Sequence, residues 1–375
     1  MRTYEKKNRT IRRLFLLAPV RLCLLGAGLV WLRIFFALRG RRGFANAITF
    51  GLVRPFQETV SGWCDGLPFS VGEILYTLAL LAFAAWLLLS LVRLIRGPGR
   101  RLRLFRLCAG TLAAAALAYG AYCLLWGIQY YADSFSDQSG IHAEGVSPEA
   151  LAEVTEAFAD LAAAYSPLVA RDENGLFAET GYLDRAETLY DAAAAQYPCL
   201  DGPARRPKEM LYSALMRSTG FTGFFCPFTG EANVSVYEPE AYRPATIAHE
   251  LAHQRGVAAE DEANFVAVLA CLEDGDPVYV YSAALLAFTH LSNALYSADY
   301  EAWLAVWAGL ESGVEADIRY CNAYWREYDN AATTVSQTVY SGLLQTQGQS
   351  LGIRSYGACV DLLVSYYGEK ELPTP

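Results

Sequence analysis

The segment RPATIAHELAHQRG, residues 243–256, sets His249 and His253 four positions apart with Glu250 directly after the first. On a helix, residues four apart are separated by about 40° of rotation and one turn, so both imidazoles reach a single tetrahedral metal ion. A carboxylate beside such a pair is placed to take a proton from water activated there. Pro244 suits a first helical turn and Gly256 a C′ position, which bounds a helix over 244–255. Half of the four histidines of the chain fall in this one window.

The run is similar to the His-Glu-x-x-His signature of zinc metallopeptidases, which implies Zn2+ held by His249 and His253 with Glu250 as general base. Zinc then needs a third protein ligand and a fourth position for water. The longer metzincin pattern is met through Gly256 but fails at Ala259. Next comes EDEANFVAVLAC, an acidic helix start, and Glu262 is the first choice for the third ligand, an arrangement resembling the gluzincin class. Glu260 is the second choice, with Asp261 also near; a solvated helix start explains all three acids without a ligand role. His290 and Tyr281 are the candidates for a donor that stabilises the transition state.

The rest of the chain must hold these groups in place. Its 375 residues are 54% hydrophobic and 18% charged, with net charge −9, which excludes disorder, collagen and a small disulfide scaffold. The acidic balance argues against a nucleic-acid-binding surface. Mean hydropathy is +0.18, which directs attention to membrane segments. Residues 71–92 and 107–128 are apolar runs long enough to cross ~30 Å of hydrocarbon, the second ending near Trp126, Tyr130 and Tyr131 as at a membrane interface. A third span covers 14–38, with Arg21 and Arg33 snorkelling. A signal peptide is disfavoured because no small-residue cleavage site follows.

Lys and Arg flank the spans unevenly. Arg2, Lys6, Lys7, Arg9, Arg12 and Arg13 precede the first, and six arginines between Arg93 and Arg106 separate the other two. Both stretches are expected in the cytoplasm. The loop 39–70 then faces out, although four arginines within it oppose that placement, and everything after the third span lies outside. The first 128 residues carry 18 Lys and Arg against 4 Asp and Glu, net +14, and the remainder is net −23. A basic anchor, 1–131, thus precedes a linker at 132–146 and an acidic domain at 147–375.

That domain reads as mainly α. Helical patterns cover about 147–165, 179–196, 207–218, 260–273, 278–296, 298–310, 314–345 and 354–367, with one strand, 231–237, which could pair with an extended substrate. The uncharged stretch 278–296 is long enough to span, but Thr289, His290, Ser292 and Asn293 in its second half favour a buried helix. No cysteine pair has CxxC spacing, which argues against a cysteine zinc site; an extracytoplasmic domain with five cysteines leaves room for one or two disulfides.

Taken together, GFFCPFTGEANVSVY, the histidine motif, EDEANF and SLGIRSYGACVDLLVSYY, with LPFSVGE and WGIQYY in the anchor, resemble a bacterial membrane family catalogued as domain of unknown function 3810. YSGLLQTQGQ at 340–349 departs from it near Gln345, where a lysine is expected. The resemblance implies a membrane-anchored, zinc-peptidase-like protein; with the apolar runs and flanking charges, the expected architecture is a three-span anchor bearing a zincin-like extracytoplasmic domain in the plasma membrane, N-terminus inside. The expected function is zinc-dependent hydrolysis of a peptide or envelope-protein substrate at the outer membrane surface. The same residues would serve a zinc-binding sensor or scaffold without turnover, or a hydrolase of a non-peptide amide. Sequence does not give the oligomeric state.

Overall fold

The computed structural model describes residues 18–203, 205–349 and 359–375; the beginnings of the stretches expected at 14–38 and 354–367 fall outside them. The chain forms two compact units, one from the part up to Val53 with Gly72–Ala132, the other from Arg54–Val71 with Asp133–Pro375. Mainly helical structure is found in both.

In the first unit the long helices are α1 (Pro19–Leu38), α2 (Val71–Arg96) and α3 (Arg100–Tyr122). Each is long and apolar enough to cross a membrane, α3 when counted with the π-turn that follows it. α3 begins seven residues before the expected 107, because Gly97-Pro98-Gly99 breaks the chain and the arginines after it are good helix formers. α1 and α3 pack through small residues. A Cβ on Gly28 would lie 3.0 Å from Ala116 Cβ, and Trp31 Nε1 donates to Gly120 O at 2.9 Å, the close approach by which helices associate in lipid. The apolar stretch of α2 is unburied within the protein.

The second unit takes in part of the loop between the first two of these helices. Residues Arg54–Asp65 form an amphipathic helix whose Gln57 Nε2 donates to Pro227 O at 3.1 Å. The buried Lys208 ammonium donates to Asp65 O and Leu67 O, both at 2.7 Å. The stretch expected as a linker is packed as well. Its short helix α4 (Phe135–Ser139) carries a capping box between Ser134 and Asp137, and Phe135 is buried in the core.

The site lies on α5 (Arg243–Gln254) and α6 (Glu260–Asp274), with α7 (Pro277–Ala298) beside them. α7 is the fourth helix of spanning length, but 72% of its apolar window is buried inside the protein. It is the core helix that the polar residues in its second half suggest. The expected helix 314–345 is two, Ser312–Glu327 and α8 (Ala331–Thr346), because Asn330 caps the second by accepting from Ala332 and Thr333 N–H. The expected helix 179–196 likewise divides into Tyr182–Arg185 and Asp191–Gln196.

The expected helix 207–218 starts instead as strand β1 (Lys208–Glu209), where pairing to a neighbour overrides local preference. With β2 (Gly223–Cys226) and β3 (Glu231–Val234) it makes a sheet of order β1-β3-β2, β1 parallel and β2 antiparallel to β3. β3, the strand expected to receive a substrate, is therefore central and already paired on both sides. None of the nine cysteines, all among the described residues, is in a disulfide.

Candidate metal and hydrolytic site

α5 is anchored at both ends. At its start Pro244 has no N–H, and the Ala245 N–H is taken by Ser282 Oγ of α7 at 2.9 Å. At its end Gly256, at φ +86°, makes the left-handed turn. Gly256 N–H then donates to His253 O and Val257 N–H to Ala252 O, the Schellman pair that closes a helix. The turn also fixes a ring, since His253 Nδ1 lies 2.7 Å from Val257 O.

His249 Nδ1 lies 2.8 Å from Asn264 Oδ1. With both Nδ1 atoms bonded to oxygen acceptors, each Nδ1 is the donor, and Nε2 is the nitrogen left to take a metal, on His253 after it gives up a proton. The two Nε2 atoms converge on one carboxylate oxygen. Glu260 Oε2 is 3.2 Å from His249 Nε2 and 3.4 Å from His253 Nε2.

This third group is Glu260 and not Glu262. On α6, Glu260 and Asn264 are one turn apart and share the face toward α5, whereas Glu262 is rotated about 200° from Glu260. The Glu262 carboxylate instead accepts from Phe135 N–H at 2.9 Å and Ser136 N–H at 3.0 Å, covering the N-terminus of α4. The spacing EDEAN carries a signal for this: an acid and an amide four apart, as on the histidine helix.

The donor set fits a metal ion. Tetrahedral zinc with bonds of about 2.0–2.1 Å separates its ligands by about 3.3 Å, close to the distances observed, and one ligand atom from each of His249, His253 and Glu260 lies within 4.8 Å of the others. All three residues are buried. No aligned hydrogen bond reaches Glu260 Oε2 among the described residues, which leaves a lone pair facing the rings.

Glu250 is also buried, and its Oε2 has no hydrogen-bond partner among the described residues. Burial, with Glu260 nearby, raises its pKa to about 8 despite the opposing effect of His253. Burial works against a charged His253, yet the adjoining Glu260 carboxylate outweighs it and lifts that ring to about 9.

The site opens on a cleft of about 310 Å³ lined by Thr222, Gly223, Thr246, His249, Glu250 and His290 among others. His290 is held neutral, down to about 4, by burial and by His249. Tyr281 is elsewhere: its hydroxyl donates to Asp317 at 2.6 Å and accepts from Arg171 at 3.0 Å.

β2, which sequence reasoning missed because GFFC is too short to show alternation, borders the cleft. A Cβ on Gly223 would lie 2.6 Å from Glu250 Oε1, so glycine is what lets the strand approach the carboxylate. Thr222 O accepts from Ser235 N–H, and by antiparallel alternation the Gly223 N–H and C=O then point away from β3.

Fold and site together define a mainly helical protein with helices of membrane-spanning length and a buried His, His, Glu cluster on two consecutive helices. A family model described as "Protein of unknown function (DUF3810)" matches residues 47–364, and the chain belongs to that family. Comparison with curated proteins and with solved structures gave no match.

Proposed function

We propose that this is a membrane-anchored zinc-dependent peptidase acting at the outer face of the plasma membrane. The observation that carries the reading is the meeting of two imidazole Nε2 atoms and Glu260 Oε2 at tetrahedral-edge spacing, beside the buried Glu250, whose Oε2 has no partner among the described residues. His249, His253 and Glu260 would hold the ion. Zinc, when bound, supplies an acidified water and a polarised carbonyl.

The protein's own groups do the rest. Glu250 holds the proton at its carboxylate and returns it to the leaving amine, a task suited to a carboxyl raised toward neutrality. The outward N–H and C=O of Gly223 are set to pair with an extended peptide as an added strand, which favours a peptide substrate. Neutral His290 donates toward developing negative charge.

The outer-face placement is supported by chain path. The helix Arg54–Asp65, from the loop between the first two spans, packs in the same unit as the chain that follows the third, as expected when both lie on one side of the bilayer. The arginine clusters beside the first span and between the other two favour the outer side for it.

The test is metal analysis of the purified full-length protein, then cleavage of a peptide library by wild type and Glu250→Gln. Bound zinc with Glu250-dependent cleavage is expected. Zinc without such cleavage would leave a sensor, and absence of metal would defeat both readings.

A further inference from the structure

A cavity of about 280 Å³ in the first unit has no part in the site described above. Arg21, Arg93, Arg103 and Arg106 line it, together with Gly99, and among the described residues no carboxylate does. Among the described residues Arg21, Arg93 and Arg103 are in no salt bridge.

Two of the guanidinium groups are pinned by backbone. Arg103 donates through Nη1 to Arg93 O and through Nε to Pro98 O, both at 2.8 Å, and Arg21 Nη1 donates to Arg106 O. α3 also begins here. Its N-cap is Gly99, with no side-chain cap and no acid in the first turn, so the positive end of a 23-residue helix adds to the arginine charge. Like charges gathered beside an apolar bundle repel unless an anion neutralises them.

We propose that this cavity is a binding site for a phosphate group. Planar guanidinium forks match phosphate oxygens. The lining comes from the ends of three helices of membrane-spanning length, so a phospholipid headgroup is within reach, and soluble phosphate offers the same chemistry. Arginines that merely snorkel to the interface need no such ligand, and the test separates the two.

Full-length protein is placed in nanodiscs of phosphatidylcholine alone or doped with phosphatidylglycerol. Retained lipid is counted by native mass spectrometry, and the thermal midpoint is followed with added inorganic phosphate. Three proteins are compared: wild type, the pair Arg93→Gln with Arg103→Gln, and the pair Arg100→Gln with Arg101→Gln, which removes equal charge from residues that do not line the cavity. Selective retention of phosphatidylglycerol by wild type and the control pair, weakened roughly tenfold or more in the cavity pair, establishes a lipid site. Stabilisation by inorganic phosphate in phosphatidylcholine discs, lost only in the cavity pair, establishes a soluble-phosphate site. Equal weakening in both pairs, or no selective anion binding by wild type, overturns the proposal. Should the Arg103 change unsettle the loop, Arg93→Gln alone gives the same reading, since that side chain makes no hydrogen bond among the described residues.

Discussion

The Tyr340 hydroxyl donates to Glu260 Oε1 at 2.6 Å, joining residues 80 apart in the chain. This bond holds the carboxylate so that its other oxygen faces His249 and His253. Phe221, on the wall of the cleft, packs edge-on against the same tyrosine with ring centroids 5.3 Å apart. Tyr340→Phe is expected to weaken metal affinity by roughly 10- to 100-fold, the range for residues that orient a ligand. Chelator competition measures the loss, and a changed visible spectrum of the cobalt-substituted protein shows that the ligand has turned. Unaltered affinity and spectrum would remove Tyr340 from this role.

Glu260 and Glu262 should separate cleanly. Glu260→Gln is expected to cost more metal affinity than any supporting residue, above ~100-fold. Glu262→Gln should keep full metal content while lowering the thermal midpoint, because Phe135 and Ser136 N–H lose a charged acceptor. Metal content and melting of the two variants give the answer, and the reverse pattern would reassign the ligand.

Gly223→Ala introduces a methyl 2.6 Å from Glu250 Oε1. Turnover should fall while bound metal is retained, because the displaced group is the proposed base and not a ligand. Parallel assays of metal content and peptide cleavage check this, and undiminished cleavage would show that the strand gives way instead.

Metal uptake should release a proton. His253 stands at about 9 before a metal arrives, so its Nε2 must lose a proton to coordinate, and apparent affinity should rise with pH toward that value. Titration calorimetry in two buffers of different ionisation enthalpy counts the protons. No release at pH 7 would mean that the ring is already neutral.

Acid stability has a marker far from the cleft. Glu311 caps the helix Ser312–Glu327, accepting from Gly313 and Val314 N–H and from Ser166. Burial opposes its charge, but these bonds win and hold it at about 2. Its folded pKa lies below the unfolded value of about 4.5, so the stabilisation is full above 4.5 and is lost as pH falls through 2. Glu311→Ala should lower stability by about 1 kcal/mol at pH 7, and the difference from wild type should close as pH falls from about 4.5 toward 2. Urea unfolding of the full-length protein across that range is the measurement.

His249, Glu250 and His253 were legible because one helical turn contains their whole relationship. Glu260 was harder, because choosing between it and Glu262 requires the phase of a second helix, set by the left-handed turn at Gly256 and by the rings it must face. Tyr340 could not be read at all, since nothing local to YSGLLQTQGQ marks a partner 80 residues earlier. Whether a long apolar helix packs inside the protein was legible for α2, whose apolar residues run unbroken. It was ambiguous for α7, where only Thr289, His290, Ser292 and Asn293 distinguish a protein interior from lipid. β1 and β2 escaped because short strands are specified by the strand beside them, β3, and not by their own alternation.

The backbone passes between the two units three times, after Val53, after Val71 and after Ala132. A single proteolytic nick therefore does not shed the site-bearing unit. Cleavage after Ala132 leaves the Arg54–Val71 segment tethered to the first unit and still clasped through Gln57 and the Lys208 ammonium. A soluble form made by simple truncation before Asp133 would instead strip Lys208 of both its carbonyl acceptors and bare a buried charge, so release needs the inserted helix to travel with the rest.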